Sequence, residues 1–172
     1  MKKIQFIFLI LFLTVSTTIY ADKLWKDSVY GMSVDEVHKV IPDTFYTIEK
    51  SRLGNGSEEL LSLNDIVIFN HKFKASFYFQ GEKLTQVTLG LKEIMSFNSA
   101  MPIFENLTDA FRSKYGKEIS REVDKDPTLS IAQSKWLFGR TNITLVEMSA
   151  VGGDAILNIT YQERLAKEAD NL

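Results

Sequence analysis

From His71 to Gln80 apolar and polar side chains alternate: Phe73, Ala75, Phe77 and Phe79 fall on one side, Lys72, Lys74, Ser76 and Tyr78 on the other. A period of two is the signature of a strand with one buried face. Gly81-Glu82-Lys83 reads as a turn, and Leu84 to Leu91 as the next strand, with Val87, Leu89 and Leu91 inward. Leu60 to Phe69 supplies an earlier strand. Later in the chain, Ile131–Phe138, Thr141–Met148 and Ala155–Tyr161 repeat the pattern, with Gly139-Arg140 and Gly152-Gly153-Asp154 between them as turns.

Two stretches carry the helical period instead. Val34, Val37, Val40 and Ile41 recur at helical spacing. Ser33 and Glu36 ahead of them form a capping box, and Pro42 ends the run. Ile103, Phe104, Leu107, Ala110, Phe111 and Tyr115 make a second apolar stripe. Ser99 marks its start, Pro102 suits its first turn, and Gly116 closes it. Each helix precedes strands, so the order predicts an α+β fold: two helix-plus-antiparallel-meander repeats forming one domain, with halves about 22–95 and 96–165. One sheet face is to cover helices and the other to face water.

The first residues follow a different plan. Met1-Lys2-Lys3 is positive, Ile4 to Val15 is apolar apart from Gln5 and Thr14, and Ile19-Tyr20-Ala21 follows a polar Ser16-Thr17-Thr18. That order describes a signal peptide over 1–21 cleaved after Ala21, with a single domain over 22–172. The apolar run is shorter than the roughly 20 residues that cross a bilayer, so no stable membrane anchor is expected. The expected location is the periplasm, or outside the cell. The chain has no cysteine, which excludes disulfides, thiolate metal sites and acylation of a cysteine at the cleavage point.

Composition changes the picture little: 45% hydrophobic and 24% charged over 172 residues is ordinary for a globular chain. A net charge of −2 and a pI near 5.7 lend no support to nucleic-acid binding. The two histidines, His38 and His71, have no carboxylate pair at ligand spacing, so no metal site or cofactor is expected. Asp35-Glu36, Glu58-Glu59 and Asp124-Lys125-Asp126 read as capping or loop acids, and no Gly-x-Ser-x-Gly elbow is present. Gly54-Asn55-Gly56-Ser57 lacks a phosphate-loop lysine and reads as a flexible loop. No catalytic residue is assigned and no enzyme is expected.

Gly31-Met32-Ser33-Val34-Asp35-Glu36-Val37, followed by Phe77-Tyr78-Phe79, Leu84 and Val87-Thr88-Leu89, resembles exported bacterial proteins of small tandem α/β repeats. Trp136, Thr141-Asn142-Ile143-Thr144-Leu145 and Leu157-Asn158-Ile159-Thr160-Tyr161 add to the likeness. The architecture this order implies is similar in shape to that of the beta-lactamase inhibitory protein and the small outer-membrane assembly lipoproteins. The resemblance lies in packing motifs and implies protein binding. Neither the lipid anchor nor the disulfides of those relatives carry over, because this chain has no cysteine.

The expected site is the wet face of the sheet. Tyr78 is its anchor, an aromatic ringed by Lys72, Lys74 and Ser76, with Gln86, Thr88, Gln133, Lys135, Asn142, Thr144, Asn158 and Thr160 around it. Lys72, Lys74 and Lys135 would steer an acidic partner protein, and Asn142 and Thr144 would contact it. The partner class is a toxin or an envelope enzyme, which makes the chain an inhibitor or immunity protein. A structural or assembly factor of the cell envelope is the alternative, and a hydrolase of envelope material is a third.

Overall fold

The computed structural model describes residues 23–126 and 128–164. The expected signal segment and the charged residues after Arg164 lie outside the described residues. A short ribbon, β1 (Lys23–Trp25) and β2 (Ser28–Val29), leads into helix α1 (Val34–Val40). Then come β3 (Phe45–Tyr46), β4 (Glu58–Ile68), β5 (His71–Gln80) and β6 (Lys83–Leu91). Helix α2 (Phe97–Tyr115) precedes β7 (Ser120–Lys125), β8 (Leu129–Phe138), β9 (Thr141–Ala150) and β10 (Ile156–Glu163).

This arrangement corrects the expected fold class. The described residues are mostly β, 51% strand against 18% helix, and β3 to β10 form one eight-stranded antiparallel sheet in the order β3-β4-β5-β6-β10-β9-β8-β7. It is not an α+β stack of two helix-plus-meander repeats. The physical reason is edge pairing. β6 and β10 would each present unpaired N–H and C=O groups, and they pair with each other from Asn158↔Gly90 to Gln162↔Gln86, closing the sheet across its middle. Nor does α1 form a layer of its own: of its seven residues only Val37 is buried. The β1–β2 ribbon supplies cover instead, through Leu24 and Trp25.

Local signals place the helices. Ser33 accepts from the Glu36 amide while the Glu36 carboxylate accepts from the Ser33 amide at 2.7 Å, the capping box expected from spacing. Helix α2 starts at Phe97, earlier than Ser99, because Ser96 caps it by accepting from the Ser99 amide. Pro102 consequently lies inside the helix, beyond the first turn. Gly116 ends it with φ 85°, a conformation that glycine reaches without penalty.

The core is one cluster on the helix side of the sheet. Phe73, Phe77, Phe79, Phe104 and Trp136 are its largest fully buried members, each stabilising the fold by about 2–3 kcal/mol through burial. Trp136 ties the two layers together. Its Nε1 donates to the Gly116 carbonyl at 3.0 Å, and its ring meets Phe111 edge-on at 5.2 Å.

One inward position breaks the apolar rule. Glu147, in register with Ala132 and Leu157, has no exposed surface, and neither carboxylate oxygen has a hydrogen-bond partner among the described residues. Burial pushes its carboxyl up to about 7, with Lys125 pulling it down and Glu105 adding to the rise.

Candidate functional site

Both helices and the β1–β2 ribbon pack on the core side, so among the described residues the opposite face of the sheet carries no helical layer. Register fixes what lies on it. One row crosses the sheet as Ser62, Ser76, Thr88, Thr160, Thr144, Lys135 and Ser120. The Thr88 hydroxyl accepts from Gln86 Nε2 at 2.9 Å and lies 3.5 Å from that of Thr160. The next row is Tyr78, Gln86, Gln162 and Asn142. Toward the other end of the strands, Lys74, Gly90, Asn158, Val146 and Gln133 follow one another. A Cβ on Gly90 would stand 3.1 Å from the Asn158 Oδ1, so glycine leaves that amide room to lie across the strand.

All six residues expected to bind lie on this face, in two groups. Lys135 and Thr144 are direct cross-strand partners, and Asn142 is two residues along β9. Lys72, Lys74 and Tyr78 lie together on β5. Two strands, β6 and β10, separate the groups, a span of about 14 Å at roughly 4.8 Å per strand.

The β5 group is less free than its sequence implies. The Lys74 Nζ lies 2.7 Å from Glu59 Oε1, which also accepts from Ser62 Oγ at 2.5 Å and Ser76 Oγ at 2.9 Å. Ser51 donates to Oε2 at 2.6 Å and its oxygen lies 3.2 Å from the Tyr78 hydroxyl. Burial raises the Glu59 carboxyl, but Lys74 and the three serines outweigh it and hold the group below its ordinary range. Tyr78 is thus a half-buried ring anchored to the segment that precedes β4, and Lys74 carries a compensated charge. Lys72 and Lys135 remain exposed.

The acids read as loop or cap residues divide. Glu36 caps α1, and Asp35 accepts from the Tyr46 hydroxyl at 3.1 Å. Glu58 pairs with Arg52, while Asp126 accepts from the Thr128 amide at 2.7 Å. Glu59 and Asp124 are corrections. A bulge at Leu60 turns Glu59 onto the open face as a buried member of β4, and Asp124 lies within β7 rather than in a connection. Among the described residues no group of three or more His, Asp or Glu is placed to hold a metal ion. No described helix is long and apolar enough to cross a membrane.

Sequence reasoning also missed an apolar row on the same face. Ile131, Met148 and Ile156 are adjacent across β8, β9 and β10, and Leu129 lies two residues from Ile131. Ile156 and Leu129 are about half exposed. Asp124 borders the row on β7 as the register partner of Ile131. Counting parity outward from Gln133 and Lys135 would have placed Leu129 and Ile131 on the wet side.

No protein-family model matches the chain, and neither a curated protein sequence nor a solved structure matches it.

Proposed function

We propose that this chain is an exported, non-enzymatic protein-binding module of the bacterial envelope that occludes a partner protein with the open face of its sheet, as an inhibitor or an immunity protein does. The observation that carries the reading is the apolar row Ile131–Met148–Ile156, held at the strand ends of the open face and bordered on its inner side by the amides of Gln133 and Asn158. An exposed apolar patch bordered by polar side chains marks many protein interfaces. A sheet also loses little conformational freedom on docking, so more of the contact energy appears as affinity. Lys72 and Lys135 stand at the two sides of the face and favour a partner with acidic surface.

The test is capture from periplasmic extract by the immobilised protein, with mass spectrometry to identify the partner and calorimetry to measure it. Ile156→Asp is expected to weaken the identified complex at least tenfold and Lys135→Glu to slow its association. A complex indifferent to Ile156→Asp and to Tyr78→Ala, or no partner above background, overturns the reading.

A further inference from the structure

We propose that a cleft on the core side of the sheet, walled by β1, the last turn of α2 and the β8–β9 hairpin, binds a small amphipathic anion: one aromatic or branched apolar group bearing a carboxylate. The cleft is remote from the open face and independent of the function proposed for that face.

Its volume is about 250 Å³. An apolar cavity of roughly 150 Å³ holds benzene, so this one accommodates a ring with a short substituent. Leu24, Trp25, Tyr115, Phe138 and Ile143 supply apolar wall. The Tyr115 and Phe138 rings lie 5.2 Å apart at 57°, and Phe138 is 57% exposed, a large apolar surface left in water at the mouth. Filling the cleft with an apolar group would remove that surface from water.

The charge at the cleft decides the class of ligand. Among the described residues, three lysines line it, Lys23, Lys26 and Lys114, and no carboxylate does. Lys23 is neutralised by Asp27 at 2.7 Å. Lys26 and Lys114 have no ion-pair partner among the described residues, and their Nζ atoms stand 4.8 Å from the ring centres of Trp25 and Tyr115. These ammonium groups already occupy the aromatic faces that would otherwise draw a cation, so a cationic ligand is repelled and an anion is favoured. Tyr161, almost wholly buried, shares a hydrogen bond with Tyr115. Burial, reinforced by Tyr115, raises its phenol far above the usual range. It stays neutral and adds no negative charge to oppose an anion.

The test uses 3-phenylpropionate as probe, with 3-phenylpropanamide and 2-phenylethylamine as neutral and cationic counterparts, followed through the indole N–H resonance of Trp25 in the full chain. Saturable shifts with the acid, binding at least tenfold weaker for the amide and no binding of the amine are expected. Lys26→Gln with Lys114→Gln should bring the acid down to the level of the amide, with an unchanged far-ultraviolet circular dichroism spectrum. Equal binding of acid and amide, or an unmoved Trp25 resonance at saturation, overturns the proposal. The wild-type ligand series decides the matter alone if the double variant does not fold.

Discussion

Lys74 reaches across β4 and β5 to Glu59, whose carboxylate oxygen lies 2.7 Å from its ammonium nitrogen although Glu59 is only 3% exposed. The pair sits on the open face, so its charge is spent within the molecule and is withheld from any partner. Removing the cation strands a buried anion on three serine hydroxyls. Lys74→Met is expected to cost about 2–3 kcal/mol, below the cost of breaking a fully buried pair because Lys74 is partly in water. Urea unfolding at pH 7 measures this, and Glu59→Gln combined with Lys74→Met should recover part of the loss.

The same carboxylate makes the fold acid-sensitive. Glu59 is held below its ordinary value of 4.5, so its stabilisation is complete above that pH and is lost as pH falls through the depressed value. Wild type is expected to lose more stability between pH 5 and pH 3 than Glu59→Gln does. Parallel denaturant curves at the two pH values check it.

Glu147 acts in the opposite sense. Its folded value is raised from 4.5 to about 7, so the folded protein holds the proton more tightly. Stability from this group is present below about 4.5 and declines as pH rises through 7. Glu147→Gln is expected to flatten that decline, gaining about 3 kcal/mol on wild type at pH 8 relative to pH 4.5, at 1.36 kcal/mol per pKa unit. Thermal unfolding across this range gives the answer, and equal slopes for the two proteins would refute it.

The β4–β5 hairpin turns through Phe69 and Asn70, with φ values of 49° and 65°. Two successive residues at positive φ make a turn suited to asparagine and glycine. Phenylalanine is costly there, and its ring is 49% exposed, so little packing offsets the strain. Phe69→Asn is expected to stabilise the protein by about 1 kcal/mol, measured as a rise in denaturant midpoint. A fall would assign the ring a packing role.

Much of the framework was legible because it depends on neighbours in sequence. The Phe73 to Phe79 alternation, the Ser33–Glu36 box and the glycine at the end of α2 all act within a few residues, and each appears where its spacing places it. The six face residues were likewise readable, since strand parity assigns a side chain to one face or the other. Tyr78 shows the limit: its outward direction follows from parity, but its anchorage to Ser51 crosses 27 residues of chain.

What the sequence by itself determined is therefore local: which residues form strands and helices, and which side of each strand is apolar. The tertiary structure alone decided that β6 pairs with β10, merging the expected halves into one mostly β sheet, and that Ile131, Met148 and Ile156 meet across three strands. It also decided the fate of the carboxylates. Glu58 and Glu59 are adjacent acids, yet one remains partly in water with Arg52 while a bulge buries the other against Lys74. Strand pairing and burial depend on backbone edges and charges brought together from distant positions, and local periodicity carries no record of those meetings.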